Sequence, residues 1–168
     1  GELLGEVALP VPGAHNARNA AAAVALAMEL GVGFAPAAAA LARFAGVARR
    51  FQFRGDAAGV TFVDDYAHLP TEVGAALSAA LDGGWSRVVV VFQPHRYSRT
   101  EALWREFADA FEGADLVVVT DVYASGETPR PGVSGKLVVD AVLDAHPHRP
   151  VAYLPRRRDV VDYLTTRL

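Results

Sequence analysis

Cysteine is absent from the 168 residues, which excludes disulfides, thiolate catalysis and iron–sulfur ligation and fits a reducing compartment. Lysine is almost as scarce. Lys136 is the only one, so arginine carries nearly all positive charge, and the triphosphate-cradling pattern GxxxxGK[ST] occurs nowhere. Long apolar runs are missing too: the richest stretch, Ala20 to Leu30, is too short for a bilayer and contains Glu29. The opening GELLGEVALPVPG lacks the charged and apolar regions of a secretory leader. Nor is there a large excess of either charge. Sixteen Lys+Arg against nineteen Asp+Glu give a net charge of −3, which argues against a dedicated nucleic-acid or anionic-membrane surface. The expectation is a cytoplasmic chain with no nucleic acid and no membrane among its partners.

What is present is core-forming material. Hydrophobic residues make up 52% and charged residues 21%, which excludes intrinsic disorder. Residues Glu2 to Val11 read as a short strand or two before Pro10, Pro12 and Gly13. Ala-rich Asn16 to Leu30 reads as a helix capped by the preceding polar HN pair and stopped by Gly31 and Gly33. Pro36 opens a second helix reaching Phe44. Gly46 to Arg50 then interrupts the pattern and reads as a domain junction.

From Phe51 the rhythm changes to short apolar runs alternating with helical stretches, the pattern of an α/β fold with a mostly parallel sheet and flanking helices. The strand candidates are Phe51 to Arg54, Val60 to Val63, Arg87 to Phe92, Leu116 to Val119 and Val151 to Leu154. The helix candidates are Pro70 to Leu81, Glu101 to Phe111, Ser134 to Ala145 and Asp159 to Leu168.

Ligands of parallel α/β sheets bind beyond the carboxyl ends of the strands, and three such ends are unusually polar. Asp64-Asp65-Tyr66-Ala67-His68 follows VTFV, Gln93-Pro94-His95-Arg96-Tyr97-Ser98-Arg99 follows RVVVVF, and Asp121-Val122-Tyr123 with Gly126-Glu127 follows LVVVT. Two arginines three apart beside a histidine and a serine suit a phosphate or carboxylate clamp. The bland alternatives are plain: paired aspartates cap helices or fill turns, Asn16 and Asn19 cap a helix, and Arg49-Arg50 is a solvated pair. Arg156-Arg157-Arg158 reads as a solvated run, and His146 and His148 as loop residues whose spacing makes no metal site.

Six segments together resemble the Mur ligases of peptidoglycan synthesis: GAHNARNAAAAVALAMELG, FAGVARRFQ, FVDDYAHLPTEV, FQPHRYSRT, EFADAFEGADLVVVTDVYASGE and PGVSGK. They occur in the order of that family and cover most of Gly13 to Lys136. FQPHRYSRT resembles the members that join L-alanine to UDP-N-acetylmuramate. The members that recycle murein tripeptides share a DDYAHHP-like motif, differ at FQPHRYSRT, and rank second.

The resemblance implies a three-domain ATP-dependent ligase working through an acyl phosphate, with ATP and Mg²⁺ required and the metal ligands mainly in a central domain. Residues 1–48 would be the α+β end of that ATP-binding domain. Residues 49–168 would be most of a Rossmann-like, amino-acid-binding C-terminal domain. The UDP-sugar domain, the P-loop and a GAGD segment after Leu168 would then lie outside the chain, leaving it inactive alone. Asn16 and Asn19, with His15 beside them, would face the adenine edge. Arg50 and Asp65 would hold the ribose or adjoining phosphate. Tyr66, His68, His95, Arg96 and Arg99 would line the alanine pocket and face the acyl phosphate, with either histidine, or neither, as the base. One departure stands out: Leu69 occupies the second histidine position of DDYAHHP. A fragment that binds nucleotide or amino acid without catalysis is the alternative of a different class.

Overall fold

The computed structural model describes residues 3–167. Internal packing divides them into two compact units, one up to Tyr66 and the other from Ala67 onward.

In the first unit, helices α1 (Ala14–Glu29) and α2 (Phe34–Ala42) pack together, and high alanine content makes both good helices. The HN pair does not cap α1. Gly13 is the N-cap with φ 97°, a conformation glycine reaches without strain, so His15 and Asn16 fall within the first turn. Asn16 instead donates from its side chain to the Pro12 carbonyl at 2.6 Å. The strand expected over Glu2 to Val11 is also absent among the described residues, Glu2 itself lying outside them. Gly5 interrupts the segment with φ 140° and sits where a Cβ would come within 2.8 Å of the Phe34 ring, a contact with a residue distant in sequence. The unit closes with an antiparallel hairpin of β1 (Gln52–Ala57) and β2 (Val60–Asp64). Its turn residues Ala58 and Gly59 both have positive φ, 50° and 81°, as a tight two-residue hairpin turn requires.

The second unit is built on a parallel sheet of β3 (Val89–Phe92), β4 (Leu116–Val119) and β5 (Val151–Tyr153), in the order β3-β4-β5. All four residues of β4 are buried, so the LVVV run is a strand covered on both faces. Alternation sends Val117 and Val119 to one face, where they meet Val73, Leu77, Phe107, Phe111, Val138 and Val142. Leu116 and Val118 go to the other and meet Val160, Tyr163 and Leu164. The helices that supply most of these side chains are α3 (Pro70–Leu81), α5 (Lys136–Ala145) and α6 (Arg157–Thr165).

The helix expected from Glu101 to Phe111 starts earlier and ends sooner. It comprises α4 (Tyr97–Leu103) and a 3-10 turn (Trp104–Phe107). Phe92 lies 5.0 Å from the Phe107 ring and 5.4 Å from the Phe111 ring, so the chain winds tightly here to deliver both phenylalanines to one face of β3.

Gly135, the N-cap of α5, packs against the backbone just past β4. Its φ of −60° suits any residue, but a Cβ there would lie 1.9 Å from the Thr120 carbonyl oxygen. Gly135→Ala is therefore expected to cost about 1–3 kcal/mol or more through overpacking, read as a lower urea midpoint; an unchanged midpoint would mean that the backbone yields freely.

Candidate functional site

The loops following β3 and β4 are tied together beyond the strands themselves. Arg96 N–H donates to the Tyr123 carbonyl at 2.9 Å and Tyr123 N–H donates to the Pro94 carbonyl at 2.8 Å, continuing the parallel pairing to His95 and Tyr123. The loop ahead of α3 joins them: the His68 and His95 rings lie 5.7 Å apart, and His95 lies 5.5 Å from the Tyr123 ring. Three of the predicted residues thus converge at the carboxyl edge of the sheet, because Arg99 Nη1 donates to both the His95 carbonyl and His95 Nδ1 at 3.2 Å.

Guanidinium only donates, so that contact makes His95 Nδ1 an acceptor and leaves the ring proton of the neutral form on Nε2. Burial pushes the His95 pKa below its usual 6.5, and Arg99, His68 and Arg96 push it the same way while Glu127 opposes them. His68 is held differently. Glu72 Oε2 accepts from the backbone N–H of His68 at 3.0 Å and of Leu69 at 3.2 Å, and lies 3.5 Å from His68 Nδ1. Leu69, the N-cap of α3, offers no side-chain acceptor, so Glu72 in the first turn satisfies the helix entrance.

Arg96 is exposed and serves as the N-cap of α4 with φ 72°. That conformation is strained for a non-glycine residue, and such strain persists only where the surroundings enforce it. Thr100 does so: its N–H and hydroxyl both donate to the Arg96 carbonyl, at 3.1 and 2.8 Å.

Two further rim residues belong to the third polar cluster of the sequence, although the family resemblance gives them no ligand role. Tyr123 walls the site beside His95, and Glu127 accepts from Ser98 N–H at 2.9 Å and from the Ser98 hydroxyl. These two bonds hold the Glu127 carboxyl below the usual carboxylate range. Asp121 is structural, its Oδ1 accepting from Val122 N–H at 2.9 Å and Gly135 N–H at 3.1 Å. The Tyr153 hydroxyl has its pKa raised chiefly by burial.

The remaining predicted residues lie in the first unit. Asp65 Oδ2 accepts from Phe51 N–H at 2.8 Å, and Tyr66 N–H donates to the Arg49 carbonyl at 2.7 Å. The Arg49 guanidinium sits 4.5 Å over the Tyr66 ring. These contacts hold Arg49 and Phe51 at φ 59° and 44°, with exposed Arg50 between them. Asn16 and Asn19, three residues apart, share a face of α1 with Asn19 exposed, and neither is its N-cap. Elsewhere Arg156, Arg157 and Arg158 are exposed, as expected of a solvated run. His146 has a partner that its sequence neighbours did not offer: its Nε2 lies 2.7 Å from Asp109 Oδ1. No helix among the described residues is long and apolar enough to cross a membrane.

The second unit is thus a parallel α/β domain with imidazole and guanidinium groups gathered at the carboxyl edge of its sheet. The chain belongs to the Mur ligase family, matching its "Mur ligase, glutamate ligase domain" over residues 49–168. It is 50% identical over 164 residues to the UDP-N-acetylmuramate–L-alanine ligase of Pelotomaculum thermopropionicum, covering 98% of this chain and 35% of the relative. The enzyme of the same name from Rubrobacter xylanophilus is 51% identical over 165 residues, covering 95% of this chain and 36% of the relative. The chain thus spans about a third of the length of these curated relatives. Among solved structures, UDP-N-acetylmuramate-alanine ligase MurC from Thermotoga maritima shares 34% identity with a TM-score of 0.75, over 94% of this chain and 33% of that one. A murein peptide ligase from Psychrobacter arcticus shares 26% with a TM-score of 0.70, over 96% and 33%.

The pKa shift at His95 has a definite sign. Its folded form binds a proton less readily than its unfolded form, so its contribution to stability is complete above pH 6.5 and is lost as pH falls through the lowered folded midpoint. The His95 ring signals should titrate by NMR with a midpoint below 6.5. Arg99→Ala should move that midpoint upward, and an unmoved midpoint would contradict the Arg99–His95 contact.

Proposed function

We propose that this chain is the amino-acid-receiving part of an ATP-dependent ligase that joins L-alanine to UDP-N-acetylmuramate in peptidoglycan synthesis. Residues 1–48 would be the end of its central ATP-binding domain and residues 49–168 most of its C-terminal domain. The observation that carries this reading is the convergence of His68, His95 and Arg99 in a chain that is 50% identical to an L-alanine ligase. Higher identity to the alanine ligase structure, 34% against 26% for the murein peptide ligase, supports L-alanine over the tripeptide.

In this reaction the muramoyl carboxylate attacks the γ-phosphorus of ATP, giving an acyl phosphate and ADP. The alanine amine then attacks the acyl carbon, the carbon–oxygen bond to phosphate breaks, and the nitrogen loses a proton. Arg99 and Arg96 bind the alanine carboxylate and counter the phosphate charge. His95, with its proton on Nε2, serves as a donor to those anions. His68, with Nδ1 3.5 Å from Glu72 Oε2, lines the alanine pocket beside His95. Tyr66 limits the pocket. Asn16 and Asn19, with His15, face the adenine edge, and Arg50 and Asp65 hold the ribose or its phosphate. Among the described residues no group of three His, Asp or Glu side chains could hold a metal. They do not fit a Mg²⁺ site, and no step here runs through the metal.

The test is a chimera in which this segment replaces the matching third of the Pelotomaculum ligase. It should release phosphate from ATP in the presence of UDP-N-acetylmuramate only when L-alanine is added, and far more slowly with the murein tripeptide. Preference for the tripeptide, or release independent of any amine, overturns the reading. Should the chimera not fold, an L-alanine titration of the 168-residue chain decides the matter: shifts of the His68 and His95 ring signals support the reading and their absence refutes it. The 168-residue chain alone, which has no GxxxxGK[ST], should release no phosphate.

Within the chimera, Arg99→Ala should lower kcat/KM by about 1.5–3 kcal/mol, the scale of a charge-assisted hydrogen bond. Arg156, 80% exposed and paired with Asp159, is the control, and its alanine variant should match the parent. Leu69→His should change kcat/KM by less than about tenfold, because His68 retains an imidazole on the same loop. A gain of about a hundredfold would mean that Leu69 marks a degraded site.

A further inference from the structure

Helix α4 begins with a difficulty. Its N-cap is Arg96, which has no side-chain acceptor and makes no side-chain cap bond, yet the first N–H groups of any helix need acceptors from outside it. The acceptor comes from another loop. Glu127, following β4, takes the Ser98 N–H at 2.9 Å on Oε2 and the Ser98 hydroxyl on Oε1. Ser98 is the second residue of α4 and Arg99 the third, and Arg99 is the residue whose Nη1 reaches back to His95 at 3.2 Å. Arg130, three residues beyond Glu127, pairs with Glu101 of α4, so the same loop grips that helix at two points of its first turn and a half.

We infer that Glu127 is a positioning residue for Arg99: it caps α4 from the neighbouring loop and thereby sets where the Arg99 guanidinium stands against His95 and the incoming anion. The assignment rests on the reading of Arg99 as an L-alanine ligand. It does not require Glu127 to touch substrate. A carboxylate suits this role because it accepts both Ser98 bonds at once and because negative charge is favoured at a helix N-terminus.

The experiment is a double-mutant cycle in the chimera combined with NMR of the 168-residue chain. In the chain, Glu127→Ala should abolish hydrogen-exchange protection of the Ser98 amide, whereas Glu127→Gln, which keeps an acceptor oxygen, should preserve most of it. In the chimera, Glu127→Ala should raise KM for L-alanine about tenfold with a smaller change in kcat. Glu127→Gln should recover most of that loss. In an Arg99→Ala background Glu127→Ala should cost almost nothing further, since its effect runs through the missing side chain. Full additivity of the two substitutions, or an unchanged KM in Glu127→Ala, overturns the assignment. If Arg99→Ala itself leaves KM unchanged, the substrate reading fails instead, and the Ser98 protection result still decides whether Glu127 caps the helix.

Discussion

The double-sided burial of β4 is the constraint on which the larger unit depends. Leu116, Val117, Val118 and Val119 are all buried, and a four-residue strand with no polar face cannot exist unless both faces are covered. Strands at either side complete its hydrogen bonds, and helices above and below exclude water from its side chains. Because parallel strands must be joined by crossovers, this arrangement sends every strand's carboxyl end to one edge. The rim follows from the core.

At that edge the strands leave polar groups that neither the sheet nor the core satisfies, and the loops there are organised around meeting them. Asp121 accepts from the start of α5, Glu72 from the start of α3 and Glu127 from the start of α4. Each of these helix entrances is thus served by a carboxylate, while the imidazoles and the Arg99 guanidinium stay turned toward one another. This division of labour explains how an acidic protein presents a basic site: these three acidic side chains are consumed by backbone N–H groups.

The elements most legible in the sequence are those decided by short-range chemistry and complete burial. Leu116–Val119 and Pro70–Leu81 have the bounds read from their apolar run and their leading proline. Less legible are features decided by a partner distant in sequence. No pattern in Glu2 to Val11 reveals that Gly5 must lie on Phe34, and nothing near Tyr97 announces that α4 starts there, since its capping carboxylate is 29 residues from Ser98. The same holds for the site. His95 and Arg99 can be gathered by the rule that parallel strand ends share a rim, but β2, which precedes His68, lies in the antiparallel hairpin and not in the parallel sheet, so His68 reaches His95 through the loop ahead of α3 instead. Asp65 is a ligand residue by resemblance, but its observed partner is the Phe51 N–H, a contact that only the folded chain reveals. Asn16 and Asn19 resemble caps because polar residues precede an alanine run; Gly13 takes that position by virtue of its positive φ.

The near-exclusive use of arginine also bears on how two histidines on one rim come to differ. Arg99 remains charged across the whole range in which an imidazole titrates, so its contact to His95 Nδ1 is fixed in sense: only the neutral ring can accept it. A lysine in that place would be more flexible and more readily deprotonated when desolvated. Arginine offers the ring no such escape, and the proton therefore resides on His95 Nε2 while burial and the neighbouring cations hold its pKa down. His68, its ring centre 5.7 Å from that of His95, has Glu72 Oε2 at 3.5 Å from its Nδ1, so the two neighbouring imidazoles are held by side chains of opposite charge.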